Sequence, residues 1–106
     1  MSELDIIHFL KISGVIVQHK RPEFESTVKY ACGLIVHDCL EKSLSVGVFS
    51  TNTYYFFSEW VSETALKKFI QSEEYQLIRT AYDVLGFLQK IEIGYHVAIK
   101  TIRINH

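Results

Sequence analysis

The chain has 106 residues, enough for one domain and one modest core. Its 11 basic and 12 acidic residues leave a formal charge of -1, which argues against the basic stripe that nucleic-acid binding needs. No apolar run approaches the roughly 20 residues that cross a bilayer, so neither nucleic acid nor membrane is expected as a partner.

The hydrophobic share of 48% exceeds what one small core readily hides, and self-association is a way to bury the excess. The first residues, MSELDIIHFLKI, carry acids ahead of their apolar run and lack the basic start of a secretory leader. Together with two cysteines read as buried, reduced thiols, this predicts a cytoplasmic protein.

Residues 5 to 17, DIIHFLKISGVIV, are rich in β-branched and aromatic types and predict a strand. Pro22 followed by Glu23 marks a helix start. Phe24, Val28, Ala31, Cys32, Ile35 and Cys39 then recur at helical spacing, which extends that helix to about Glu41. Gly33 costs about 1 kcal/mol relative to alanine there and leaves a break open. On a continuous helix Cys32 and Cys39 lie roughly 10 Å apart, too far for a disulfide.

LSVGVFS (44 to 50) alternates as a strand, Thr51 and Asn52 supply turn chemistry, and TYYFFSEWV (53 to 61) returns as its hairpin partner. Ser62 caps a short helix carrying Ala65, Leu66, Phe69 and Ile70. Ser72 caps another, striped by Tyr75, Ile78, Tyr82 and Leu85, with Gly86 as its stop. Residues 90 to 104 form a long last strand, with Ile91, Ile93, Tyr95, Val97 and Ile99 on one side.

The order β-α-β-β-α-α-β predicts an α+β fold: a ferredoxin-like four-stranded antiparallel sheet with helices on one face, spanning residues 1–106 as a single domain. Tyr54 and Phe56 then face one way and Tyr55 and Phe57 the other, so a monomer leaves an aromatic face wet. The expectation is a homodimer packed sheet on sheet into an α/β barrel.

Three segments carry a family likeness: KRPEFESTV (20 to 28), CLEKSLSVGVFS (39 to 50) and FFSEWVSETALKKFIQSEEYQLI (56 to 78). In this order and spacing they resemble the antibiotic-biosynthesis-monooxygenase-like dimeric α/β barrels. The resemblance implies a cleft between helices and sheet that accepts a small aromatic or quinoid substrate, and cofactor-independent oxygen chemistry. Non-catalytic ligand binding on the same fold is the alternative, and fold alone does not choose. Haem-degrading members place an Asn, a Trp and a His where this chain has Ile12, Phe69 and Arg79. Arginine offers iron no lone pair, so that route, and any cofactor, is not expected.

Arg79 is read either as a cleft cation that holds a substrate anion or as a solvated residue of the outer helix face. Tyr30, Tyr75 and Tyr82 are expected mainly in the core, Trp60 and Phe69 as core or cleft wall. His8 and His96 sit on the first and last strands, antiparallel neighbours in this topology, which lets them approach. His37 and Asp38, adjacent on the predicted helix, do not converge, and no metal-ligand spacing occurs. The candidate site is therefore Ile12, Trp60, Phe69, Tyr75, Arg79 and Tyr82 with His8 and His96, no catalytic residue among them being assigned.

Overall fold

The computed structural model describes residues 2–101. The elements are β1 (Ser2–Ile16), a short 3-10 turn (Gln18–Lys20), α1 (Arg21–Gly33), β2 (Cys39–Val46), β3 (Thr53–Trp60), α2 (Glu63–Ile70), α3 (Glu73–Leu85) and β4 (Gly86–Thr101). The sheet order is β2-β3-β1-β4, antiparallel throughout, which is the ferredoxin-like arrangement the sequence predicts. The last predicted residues of β4, 102 to 104, lie outside the described residues.

Both predicted serine caps form: Ser62 Oγ accepts from Ala65 N at 3.1 Å and Ser72 Oγ from Tyr75 N at 3.2 Å. Several boundaries differ from expectation, most of all at the first helix and the second strand. The first helix stops at Gly33, not Glu41, so Cys32 ends a helix while Cys39 opens a strand. Lys42 Nζ explains the stop: it donates to the Cys32 and Ile35 carbonyls (2.6 and 2.5 Å) and satisfies the open helix end. His37 and Asp38 thus lie in a loop, where Asp38 takes a left-handed φ of 61°. Both cysteines are free.

The second strand also begins earlier than predicted, at residue 39 instead of 44, and yields to the turn after Val46. Gly47 N bonds Thr53 O (3.0 Å) and Thr53 N bonds Ser50 O (2.9 Å), so the apolar pair Val48–Phe49 sits at a loop tip. Phe49 is fully exposed there.

The core lies between the sheet and the helices. Leu10, Ile12, Ile16, Tyr54, Phe56, Ser58 and Trp60 are buried on the helix side, facing Phe24, Val28, Leu66, Phe69, Ile78 and Tyr82. The opposite face carries Phe9, Phe57 and the 41%-exposed Tyr55, so the aromatic run at 54 to 57 does show rings to both sides. Tyr30, expected in the core, is 65% exposed instead, because α1 turns Phe24, Val28 and Ala31 inward.

β4 runs unbroken through Gly94. Its irregularity lies earlier, where Leu88 and Gln89 stand opposite Gly14 and Leu88 takes a left-handed φ of 56°. Gly94 makes room for Phe9, whose ring would stand 3.2 Å from an added Cβ. At Gly86 an added Cβ would lie 2.3 Å from the Val15 carbonyl oxygen, whereas Gly33 has open space. Gly86→Ala should therefore cost about 1–3 kcal/mol through backbone displacement, and Gly33→Ala should be neutral or gain up to about 1 kcal/mol. Urea unfolding midpoints of the two variants measure this.

Candidate functional site

The residues proposed from sequence do not converge on one cleft. Trp60 and Phe69 stack at 4.5 Å between centroids, and Phe69 meets Tyr75 edge-on at 5.4 Å. Phe24 packs against Tyr54 and Tyr82 at 4.9 and 4.8 Å. Ile12 is fully buried beneath them. These side chains fill the interior with rings.

Trp60 Nε1 donates to Ser58 Oγ at 2.9 Å, and Ser58 Oγ lies 3.3 Å from the Leu10 carbonyl. A buried indole N–H is thus satisfied by a buried serine. Sequence reasoning passed over Ser58, although a serine amid inward-facing aromatics signals such a role.

Arg79 is neither a free cleft cation nor wholly solvated. Its Nε donates to Gln89 Oε1, its Nη1 to Tyr75 OH at 3.1 Å, and its guanidinium lies 5.7 Å from the Tyr75 ring centre. Gln89 in turn donates to Asp83. The arginine ties α3 to the start of β4.

The two strand histidines part company. β1 and β4 are neighbours, but His96 pairs with Ile7, so His8 and His96 point to opposite faces. His96 Nε2 is 3.0 Å from Glu59 on the open face, and its ring stacks on Phe9 at 5.8 Å. His8 faces the helices, 6.1 Å from the Tyr95 ring.

His8 lines a cavity of about 340 Å³ below α2, with Leu66, Ile70, Ile93 and Tyr95 as walls and Glu63 and Lys67 at the rim. Its Nδ1 is buried and has no hydrogen-bond partner among the described residues. A buried unpaired nitrogen is costly and calls for a partner. Leu66, Ile70 and Ile93 were legible only as apolar stripe residues. A smaller cavity of about 220 Å³ lies behind Trp60 and Phe69, with His37, Asp38, Lys68 and Glu74 around it. Among the described residues no cluster of metal-ligating side chains occurs, and no helix is long and apolar enough to cross a membrane.

No family model matches the chain, and no curated protein does. Solved structures do. A protein of Shewanella oneidensis superposes with a TM-score of 0.76 at 12% identity, over 92% of this chain and 98% of that one. A conserved protein of Methanosarcina mazei gives 0.73 at 16% identity, over 84% and 91%. A Nitrosomonas europaea protein, provisionally named an antibiotic biosynthesis monooxygenase, gives 0.72 at 6%, over 83% and 88%. The fold is thus that of the antibiotic-biosynthesis-monooxygenase-like proteins, as the sequence resemblance implied.

Burial pushes the Tyr82 phenol well above the ordinary tyrosine range. Above pH about 10 the unfolded chain releases this proton while the folded chain retains it, so stability falls as pH rises. Urea midpoints measured from pH 8 to 11 should decline, and Tyr82→Phe, although less stable at pH 8, should decline less steeply.

Proposed function

We propose that this chain is a homodimeric, cofactor-independent monooxygenase-like protein that binds a small aromatic or quinoid molecule below α2. The observation that carries this reading is the apolar cavity with an unpartnered histidine nitrogen in its wall. His8 would take the phenolic proton of a hydroquinone, and the apolar walls would leave the resulting anion poorly solvated and electron-rich. One such oxygenation balances without a cofactor: hydroquinone plus O2 gives hydroxyquinone plus water, all four electrons coming from the substrate. Tyr95 supplies a phenol and an aromatic wall beside the base. The solved structures named as monooxygenases support the choice of reaction class through fold alone.

A second reading, non-catalytic ligand binding, is favoured by the packed interior. The positions where haem-degrading relatives keep working residues are here Ile12 and Phe69 in the core and Arg79 in a structural bridge. Oxygen-electrode assays with 1,4-naphthohydroquinone separate the two. The enzyme reading expects uptake above autoxidation that falls about a hundredfold or more in His8→Gln. Binding without uptake establishes the second reading.

The dimer rests on the open sheet face, where Phe9 and Phe57 stack 6.3 Å apart beside exposed Tyr55. Light scattering at micromolar concentration should give twice the chain mass, and Phe57→Asp should give the chain mass. A monomeric wild-type chain would refute the sheet-on-sheet assembly.

A further inference from the structure

A larger cavity, of about 440 Å³, lies elsewhere, between α1 and the strands β2 and β3. Glu25, Val28, Lys29 and Cys32 line one side. Their spacing places them along a single face of α1, over about 10 Å. Lys42, Leu44 and Val46 line the other side. They are alternate residues of β2, paired with Ser58, Phe56 and Tyr54.

The cavity has unlike ends. At one, Tyr54 OH donates to Glu25 Oε2 and accepts from Arg21 Nε at 2.8 Å. Burial and the Glu25 bond hold that phenol above its ordinary range, so it stays a neutral donor. Glu25 Oε1 is left as an acceptor at this end. At the other end Lys42 spends two N–H groups on the carbonyls of Cys32, in α1, and Ile35, just past it, and keeps a third. Val28 and Leu44 form the apolar middle. Lys29 and Lys42 outnumber Glu25, so the lining favours an anion.

We propose that this cavity is a second ligand site, distinct from the His8 cavity, for a hydroxyaryl carboxylate of hydroxyphenylalkanoate type. Its hydroxyl donates to Glu25, its ring lies between Val28 and Leu44, and its carboxylate meets Lys42 and Lys29. A molecule with a phenol and a carboxylate at opposite ends, about 8–10 Å apart, matches the spacing of the two polar ends along α1.

The probe is 3-(4-hydroxyphenyl)propanoate, followed by amide NMR shifts and calorimetry on the full chain. Shifts are expected at Val28, Leu44 and Val46. 3-Phenylpropanoate and 2-(4-hydroxyphenyl)ethylamine, each lacking one end, should bind about tenfold or more weakly. Lys29→Met, at an exposed position, should weaken the probe about fivefold. Leu44→Trp should abolish binding by filling the cavity, with Val46→Phe as the alternative if that variant fails to fold. Shifts confined to Ile93 and Tyr95, equal binding of the amine, unchanged binding in the filled variant, or no shifts at millimolar probe would each overturn the proposal. His8→Gln should leave the probe's affinity unchanged, so this test stands apart from the oxygen-uptake assay.

Discussion

The phenol of Tyr82 is the contact on which the arrangement of layers depends. It reaches from α3 into the sheet and lies 3.2 Å from the Ile12 carbonyl and 3.1 Å from the Tyr54 carbonyl. One side chain therefore registers α3 against β1 and β3 together. The ring is fully buried, and Gly14 is what lets it in, since an added Cβ would stand 2.7 Å from the Tyr82 ring. Phe24 closes on the same ring from α1, so both long helices meet over a single aromatic.

Filling the interior this way has a consequence for where chemistry can occur. A ring-packed centre leaves no room for a ligand in the middle of the helix–sheet layer. The larger cavities lie at the margins: below α2 against β4, and below α1 against β2. The sheet order explains this pair. β1 and β3 lie under the helices, while β2 and β4 are the edges and extend past the cover. Ile93, Tyr95 and Val97 face the helix side yet remain about half exposed for that reason.

The fold was legible where local signals and long-range packing agree. Ser62 and Ser72 announce helix starts that the structure confirms by hydrogen bond, and the alternation of residues 53 to 60 puts each aromatic on its observed face. The end of α1 was legible only as an alternative: Gly33 left a break open there, but Ile35 and Cys39 continue the helical spacing past it. What ends the helix is Lys42, ten residues beyond Cys32, whose ammonium takes the last carbonyls. Periodicity cannot register a cap supplied from the next strand. The site was less legible still. His8 and His96 lie on neighbouring strands, but which face each takes depends on register, and a shift of one residue exchanges faces. Arg79 was ambiguous until Gln89 and Tyr75 were placed around it.

The open sheet face shows how an ionisable group can be kept on a surface suited to burial. Glu59 stands among aromatics with its side chain only 17% exposed, where a lone carboxylate would resist further desolvation. His96 Nε2 meets it at 3.0 Å from the far side of β1, and the same imidazole stacks on Phe9. The carboxylate is thus partnered within its own chain before any second chain arrives. Covering Phe9 and Phe57 with another copy would bury a hydrogen-bonded carboxylate and not an unpartnered one, which is the less costly of the two.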